Sequence, residues 1–305
     1  MIARLLLAAT LLAGSTPALA QAVGTNAAIR NQVTMKTARD AAPRPAVLRE
    51  PVSLGDQIAS GAASQLQVLL RDQSVFTIGA NARMTIDKFV YDPARGASDV
   101  AASVARGAFR FMSGRSLGRA GGGTAAVRTP VASIGVRGTI IEGAVGEEAV
   151  AAMANEGAAG NTTPGEGATL IVLRGPGPRA NGLDKPGAID VTAGGVTVTL
   201  DRPGMALYIP GPGMAPIGPF LLSAEGYARL GEYLRTTPGN VPDSGPIGIE
   251  STAVASGEIL SVAEFAGIWN YDPLAVEQPL RRTEDLGVPC DPPVNGGPGG
   301  SFCPR

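Results

Sequence analysis

The chain has 305 residues and a formal net charge of −1, and hydrophobic side chains make up 44% of it, enough to bury a sizeable core. It contains no histidine, which excludes the Ser-His-Asp and Cys-His mechanisms and the His-ligated zinc sites. Its 42 Gly and 25 Pro, with only 4% aromatic residues, are typical of β-structure with many turns. We therefore expect a protein that is not an enzyme and that needs no cofactor and no metal.

The first 20 residues are predicted to be a secretory signal peptide. Arg4 gives a positive start, an apolar run extends from Leu5 to about Ala13, and Ala18-Leu19-Ala20 has the small-residue pattern of a cleavage site. We expect cleavage after Ala20 and a periplasmic or secreted mature chain. After it, no stretch approaches the roughly 18 apolar residues of a membrane helix, so no membrane span is predicted for the mature chain.

The next part of the chain divides into an extension and a β domain. Residues 21–46 are polar and mixed, and we expect an N-terminal extension with at most an edge strand near residues 33–36. Residues 47–144 contain short runs that alternate polar and apolar side chains, clearest at 64–70 and 84–91. Turn residues separate these runs every eight to twelve positions or so, which favours a β-sandwich, a small barrel or a β-solenoid.

Four further segments complete the predicted order. Residues 145–168 lack apolar periodicity and are predicted to be a flexible linker or loop, and 169–220 continue the β pattern, with Gly194-Gly195 as a hairpin turn. Residues 221–271 are predicted to hold two helical segments, and 272–305 a disordered tail. The expected fold class is therefore all-β, a short-stranded solenoid or sandwich with short C-terminal helices and a disordered tail.

Each predicted helix has a start signal. In the first, Ser223 is a plausible N-cap before an apolar pattern that extends to about Arg235. In the second, Ser261-Val262-Ala263-Glu264 has the capping-box form, and the helix would end near Tyr271.

The only two cysteines, Cys290 and Cys303, lie in the predicted tail and are expected to form a disulfide in an oxidising compartment. The rival interpretation, a dithiol metal site, lacks further ligands nearby.

Charge is unevenly distributed along the chain. Residues 21–141 carry a net charge of +8, whereas residues 142–305 carry −10. The stretch 100–141 has six arginines and no acid, and these are the candidate binding residues: Arg106, Arg110, Arg115, Arg119, Arg128 and Arg137. They could bind an anionic glycan, a lipid head group or an acidic protein, or they could be solvated charge neutralised by the acidic C-terminal half. Nucleic acid is not expected, because aromatic residues for base stacking are few.

The most informative motif occupies residues 126–139, which read Ala-Val-Arg-Thr-Pro-Val-Ala-Ser-Ile-Gly-Val-Arg-Gly-Thr. Two apolar runs are interrupted by Thr-Pro and then by Gly-Val-Arg-Gly-Thr, which predicts two β segments with a tight corner. The motif resembles the C-terminal signature of FecR domains. The residues that carry this resemblance are Thr129, Pro130, Gly135, Arg137, Gly138 and Thr139.

Three weaker motifs support the resemblance to FecR domains, which covers about residues 47–143. Residues 53–58 are similar to the opening segment of the domain, residues 68–74 to a strand and turn in which Gln73 stands where the family usually has Gly, and residues 104–110 to the strand before the signature. The resemblance implies an all-β, solenoid-like and non-enzymatic module. Signalling members also carry an anti-sigma segment and a membrane helix, where this chain has a signal peptide, so a sigma-factor role is not expected.

Two interpretations of the signature residues stay open from the sequence. Gly135 and Gly138 are expected at corners that require positive φ or close chain approach. Arg137 either packs its stem along a strand and pairs with an acid such as Asp87 or Asp56, or contacts a ligand. The function expected overall is binding of an envelope protein or ligand, and the alternative is a structural or glycan-associated scaffold of the cell envelope.

Overall fold

The structure is a computed structural model, and it describes residues 22–114, 117, 122–160, 162–176 and 187–234. In that part the chain forms seventeen strands, two α-helices and one 3-10 turn. The predicted signal peptide, the predicted second helix, both cysteines and the predicted tail all lie outside the described residues.

Most strands before the long β9 are short, and they follow one another closely. Their bounds are β1 Ala22–Arg30, β2 Val33–Lys36, β3 Arg44–Pro45, β4 Pro51–Ser53, β5 Gln57–Ser60, β6 Gln65–Leu70, β7 Val75–Ile78, β8 Arg83–Asp92 and β9 Ala97–Met112. The later elements are β10 Ala125–Arg128, β11 Ser133–Arg137, β12 Thr139–Val145, α1 Glu147–Ala152, the 3-10 turn Gly157–Ala159, β13 Thr169–Pro176, β14 Ala188–Ala193, β15 Val196–Leu200, β16 Met205–Ile209, β17 Ile217–Leu221 and α2 Ala224–Leu234.

All seventeen strands belong to one continuous hydrogen-bonded sheet, which folds into two halves. Half A has the strand order β4-β1-β6-β7-β9-β12-β13-β16-β17. Half B has the order β3-β2-β5-β8-β9-β10-β11-β14-β15. Every pairing is antiparallel except that of β9 with β10, so the described sheet is mixed.

The long strand β9 belongs to both halves because it bends at Gly107. Before the bend it pairs with β8 and β10, and after it with β7 and β12. Gly107 has φ +81°, and a Cβ on it would lie 2.2 Å from the Cα of Ala82. Only glycine can take this conformation at such close approach without strain.

The main hydrophobic core lies between the two halves. Half A contributes Phe76, Phe109 and Phe111, and half B contributes Ile86 and Ile134, all buried. The rings of Phe76 and Phe111 pack with their centroids 4.5 Å apart. Because strands alternate their side chains between faces, the residues between these positions point outward, away from the common core.

A second cluster covers the outer face of half A. Ala144, Leu170 and Tyr208 point outward from neighbouring strands and are buried under the two helices. Leu230 and Leu234 of α2 belong to this cluster, as do Ala149 and Ala152 of α1. Half A is therefore covered on both faces across β12, β13 and β16, whereas half B has its core face covered by half A.

Two predictions made from the sequence differ from the structure. The predicted N-terminal extension forms β1 and β2, whose Val23 and Met35 are buried in the core. The predicted flexible linker contains α1, and Ala149 and Met153 pack in the second cluster. Both segments are rich in alanine and polar residues. Because alanine contributes little to an apolar pattern, the buried face of each segment could not be recognised from the sequence.

Other predictions agree with the structure. The all-β fold class is confirmed, with few short helices among the described residues. The Ser223 hydroxyl accepts a hydrogen bond from the Gly226 amide at the start of α2, at 3.0 Å, as an N-cap does. Gly194 and Gly195, with φ +55° and +76°, form the predicted hairpin turn between β14 and β15.

Candidate functional site

The outer face of half B, hereafter the open face, is the candidate site. Its outward residues come from alternate positions of strands whose other residues enter the core, such as Ser133 and Arg137 on either side of buried Ile134 and Val136. Most of these outward residues are polar and at least partly exposed. The face is a broad surface built on a rigid sheet.

A row of polar side chains runs across the open face, perpendicular to the strands. Each member lies directly opposite the next one on a neighbouring strand, and none is buried. In order, the row consists of Lys36, Gln57, Thr85, Ser103, Arg128, Ser133, Thr192 and Thr197. With strands about 4.8 Å apart, the row is about 34 Å long.

A strip of small residues lies beside the polar row. Ala101, Ala126 and Gly135 are neighbours in register on β9, β10 and β11, and Asp190 continues the strip on β14. The prediction that Gly135 occupies a corner is wrong, because it lies within β11 and its φ is not positive. A Cβ on Gly135 would meet nothing closer than the Asp190 carbonyl oxygen, at 3.9 Å. The backbone therefore does not require glycine here.

Arg137 pairs with an acid that the sequence did not indicate. Its guanidinium contacts the Asp190 carboxylate, with Nη1 2.8 Å from Oδ2 and Nη2 donating to Oδ1 at 3.2 Å. Thr199 also donates to Asp190 Oδ1, at 2.7 Å. The predicted partners, Asp87 and Asp56, are engaged elsewhere, since Asp87 accepts a bond from the Ser103 hydroxyl and Asp56 from the Ser53 amide.

A second ion pair lies on the open face at Lys88 and Asp99. The Lys88 ammonium is 3.1 Å from Asp99 Oδ2, and the Thr124 amide donates to Oδ1 at 3.0 Å. The hydrogen bond from Lys88, together with those from Thr124, lowers the pKa of Asp99 below its ordinary value. Asp99 is therefore a fixed negative charge beside the strip of small residues.

Arg128 and Arg106 are exposed cations without an ion pair among the described residues. Arg128 lies at the centre of the polar row. Arg106 lies at the bend of β9, directly opposite Arg83 on β8. Like charges placed directly opposite one another disfavour the pairing of strands, so Arg83 and Arg106 do not themselves stabilise this part of the sheet.

Arg110, which the sequence placed among the binding residues, is instead part of a structural cluster on half A. Its guanidinium is 2.6 Å from Glu142 Oε1, and Arg174 approaches Glu142 Oε2 at 3.3 Å. The side chain of Glu142 is 5% exposed and that of Arg110 13% exposed. Arg174 also stacks over the Tyr227 ring, at 4.9 Å from its centroid. The structure therefore separates Arg110 from Arg128 and Arg137, and Arg115 and Arg119 lie outside the described residues.

The other signature residues hold the β10–β12 region in place. Thr129 closes the turn after β10, because its hydroxyl accepts a bond from the Ala132 amide at 3.1 Å. Pro130 packs closely against Gly167. Gly138, with φ +60°, forms the corner at which the chain passes from β11 in half B to β12 in half A. The Thr139 hydroxyl then donates to the Gly175 carbonyl. These four residues are structural.

Several residues of the open face were not identified from the sequence. Asp190, Thr192 and Thr197 alternate with apolar residues in β14 and β15, so their outward direction could have been inferred from the period of two. Their place on the open face could not be inferred, because it depends on the pairing of β11 with β14, which joins residues more than fifty positions apart.

In the described part of the chain, no group of three or more His, Cys, Asp or Glu residues is arranged to hold a metal ion. Nor is any described helix both long enough and apolar enough to cross a membrane.

The described strands form a mixed β-sheet with one exposed, largely polar face. Residues 56–159 match the FecR protein family, and the chain therefore contains a FecR domain. The match begins at Asp56, a few residues after the start of the resemblance seen in the sequence. It ends at residue 159, after α1 and beyond the end of that resemblance.

Comparison with other proteins gives a partial likeness. None of the curated proteins matches the chain. Two crystal structures of a proposed anti-sigma factor from Parabacteroides distasonis, at 2.50 and 1.65 Å resolution, each match with 14% sequence identity and a TM-score of 0.35. The match covers 53% of this chain and 57% of the other, so the chain spans little more than half of their length.

Proposed function

We propose that the mature chain is a non-enzymatic binding protein of the cell envelope, periplasmic or secreted, that holds an envelope protein on its open face. The observation that carries this proposal is the asymmetry of the fold. The outer face of half A is covered by α1 and α2, whereas the open face presents an exposed row of polar side chains. A rigid sheet with fixed polar groups is suited to recognition, because its side chains are held in place before the partner arrives.

The charges of the open face indicate the character of the partner. Arg137 and Lys88 are neutralised by Asp190 and Asp99, while Arg128 has no ion pair in the described structure. A partner with a carboxylate at this position would gain a charge-assisted hydrogen bond from Arg128. Gly135 and its small neighbours leave room for the partner to approach the sheet closely.

The test is a capture experiment with two charge-reversal variants. The mature chain, Arg128→Glu and Arg71→Glu would each be used as bait in a periplasmic extract. Arg71 is exposed at a turn of half A, so its variant carries the same charge change away from the open face. We expect one protein to be retained by the wild type and by Arg71→Glu but lost with Arg128→Glu. Equal retention by all three baits would contradict the proposal.

A second candidate function is association with an envelope glycan. The specific observation in its favour is that five hydroxyl side chains occur in one straight row: Thr85, Ser103, Ser133, Thr192 and Thr197. Neighbouring hydroxyls are about 4.8 Å apart, except that Arg128 lies between Ser103 and Ser133, and this spacing would allow repeated hydrogen bonds along an extended polymer. Retention of the chain on cell-wall or anionic polysaccharide, abolished by Arg128→Glu, would favour this function over binding of a protein.

A further inference from the structure

The edges of the sheet differ in how they are protected. Among the described strands, four have a neighbouring strand on one side only: β3, β4, β15 and β17. Three of these contain a proline, at Pro45, Pro51 and Pro219, and proline has no main-chain N–H to donate. The fourth, β15, reads Val-Thr-Val-Thr-Leu and contains neither a proline nor a charged residue. Because proline and charge are what normally protect an edge strand, β15 is the described edge that is open to pairing.

The main chain of β15 offers hydrogen-bonding groups at alternate positions. The two-residue turn Gly194-Gly195 makes Val196 the first residue of β15 to exchange hydrogen bonds with β14. Such pairs alternate along an antiparallel ladder, so Val198 also bonds to β14, whereas the amides and carbonyls of Thr197 and Thr199 point away from it. Thr197 and Thr199 make no main-chain hydrogen bond to any other described residue, and both are exposed. Their main-chain groups are therefore accessible to a further strand.

Apolar side chains are exposed along the same side of the molecule. Val196 faces the core side of β15, yet it is 45% exposed. On half A, Leu221 of β17 is 71% exposed and lies opposite Met205, which packs against the main core. The turn between β14 and β15 lies against the loop before β17, since a Cβ on Gly194 would be 2.6 Å from the Met214 backbone. The edges β15 and β17 therefore lie on one side of the molecule and leave apolar surface exposed there.

We propose that β15 pairs with β15 of a second copy of this chain, antiparallel and with Val198 on the two-fold axis. In this register Thr197 lies opposite Thr199 of the other copy, and the two exchange main-chain hydrogen bonds because both direct their groups outward. Val196 lies opposite Leu200 of the other copy, which covers exposed apolar surface. A charged residue near a two-fold axis faces its own like charge, and β15 has none. This self-complementarity selects a second copy as the occupant of the edge.

The pairing joins two open faces into one surface. A two-fold axis perpendicular to the sheet keeps both open faces on the same side, and the two Arg128 side chains are then about 34 Å apart across seven strand spacings. The dimer would present the proposed binding surface twice. It goes beyond the proposed binding of an envelope protein and does not depend on it, so tests without a partner distinguish failure of one from failure of the other.

Cysteine cross-linking tests the register. Val198→Cys and the matched control Val196→Cys would each be made in the full mature chain with Cys290 and Cys303 replaced by serine, and oxidised with glutathione disulfide. A disulfide requires Cα atoms within about 7 Å. The proposed pairing meets this at position 198, whereas the two copies of position 196 are about 14 Å apart. We expect disulfide-linked dimers to form about tenfold faster with Val198→Cys, although Val196 is the more exposed residue. Equal or slower cross-linking of Val198→Cys would overturn the proposal.

Sedimentation of the full mature chain gives an independent measurement. Thr197→Pro removes an N–H that the pairing uses but leaves the bonds of β15 to β14. Thr197→Ala is the matched control, since it loses the same hydroxyl contact with Thr192 and keeps the N–H. Because the pairing is short, association is expected to be reversible. We expect the wild type and Thr197→Ala to approach twice the monomer mass as concentration rises, and Thr197→Pro to stay monomeric. A wild type that is a monomer at every concentration, or a Thr197→Pro variant that dimerises as well as Thr197→Ala, would show that the proposal is wrong.

Discussion

Two glycines of the signature differ in what they contribute, although the sequence presents them alike. Gly138 has φ +60° and connects the two halves, whereas Gly135 lies in a regular strand with free space above it. A side chain at Gly138 would be strained, while one at Gly135 would only occupy the surface. The first glycine is therefore a requirement of the fold, and the second is free to serve binding.

Substitutions at these positions give the first prediction. Gly138→Val should lower the free energy of unfolding by about 1–3 kcal/mol, because a β-branched residue is strained at positive φ. Gly135→Ala should change it by less than about 0.5 kcal/mol. Arg137→Ala should cost about 1 kcal/mol or less, since the Arg137 side chain is 56% exposed and its ion pair is solvated. Urea denaturation of the three variants measures these differences, and a larger loss with Arg137→Ala than with Gly138→Val would contradict the assignment.

The second prediction concerns the carboxylate between two arginines on half A. Glu142→Gln should destabilise the fold by about 3 kcal/mol, because it removes the buried carboxylate charge that Arg110 and Arg174 both contact. Asp190→Asn is the matched control on the open face, where the aspartate side chain is 35% exposed, and should cost about 1 kcal/mol or less. Thermal or urea unfolding of the two variants measures both losses of stability. Equal losses would show that the Glu142 cluster is not a structural centre.

Among the elements, β9 has the most demanding geometry because it serves both halves. Its bend depends on one residue, Gly107, whose backbone lies against Ala82. The sequence marked this glycine only as part of a weak family motif. The structure gives it a physical role, since a straight sixteen-residue strand could not contribute Val104 and Phe109 to opposite sides of one core.

The third prediction follows from this bend. Gly107→Ala should destabilise the protein by about 3 kcal/mol or more, because strain at positive φ adds to the overlap with Ala82. Gly96→Ala is the matched control, since Gly96 also has positive φ but a Cβ there would meet nothing within 4 Å. We expect it to cost about 1–2 kcal/mol. Urea unfolding that gives similar losses for both variants would show that the backbone near Ala82 can move aside.

The connection between β2 and β4 is held by charges. Arg44 hydrogen-bonds to Glu50 and to Asp40, and the Glu50 carboxylate also accepts a bond from the Val47 amide. The hydrogen bond from Arg44 lowers the pKa of Glu50 below its ordinary value of 4.5. Burial acts in the opposite direction on Asp56, whose pKa is raised. The ionised form of Glu50 is therefore favoured by folding, and that of Asp56 is disfavoured.

The fourth prediction is the pH dependence that results. Because the pKa of Glu50 is lower in the folded chain, its contribution to stability is complete above about pH 5 and is lost as the pH falls below 4.5 through the folded value. Glu50→Gln should therefore reduce the loss of melting temperature between pH 6 and pH 3. Glu232→Gln, at an exposed position of α2, is the control and should leave the profile unchanged. If the Glu50→Gln profile is as steep as that of the wild type, the network does not stabilise this connection.

At the scale of the molecule, charges of opposite sign from the two parts of the sequence meet within the described sheet. Acids from the C-terminal half pair with arginines of the basic stretch, Glu142 with Arg110 and Asp190 with Arg137. This occurs because β12 and β14 lie beside β9 and β11 in the sheet. The interpretation of the arginines as neutralised charge is therefore supported for these two residues, and among the described arginines of the stretch the binding interpretation is left to Arg128 and Arg106.

The fifth prediction concerns the cysteines outside the described residues. We expect Cys290 and Cys303 to form a disulfide whose reduction leaves the melting temperature of the β core unchanged. A loop of this size could contribute about 3 kcal/mol if it were coupled to folding. Calorimetry with and without a reductant, after counting free thiols, measures the effect. A large decrease in melting temperature on reduction would show that the tail packs on the core.

The sequence alone determined the features that depend on local order. Alternation of polar and apolar residues placed the strands of the β domain, Ser223 marked the start of α2, and the signature indicated a FecR domain. The tertiary structure decided which strands became neighbours, and so separated Arg110 from Arg128 and brought Asp190 to Arg137. The reason is physical: the direction of a side chain follows from a period of two along its own strand, whereas the partners of a strand depend on the packing of the entire core.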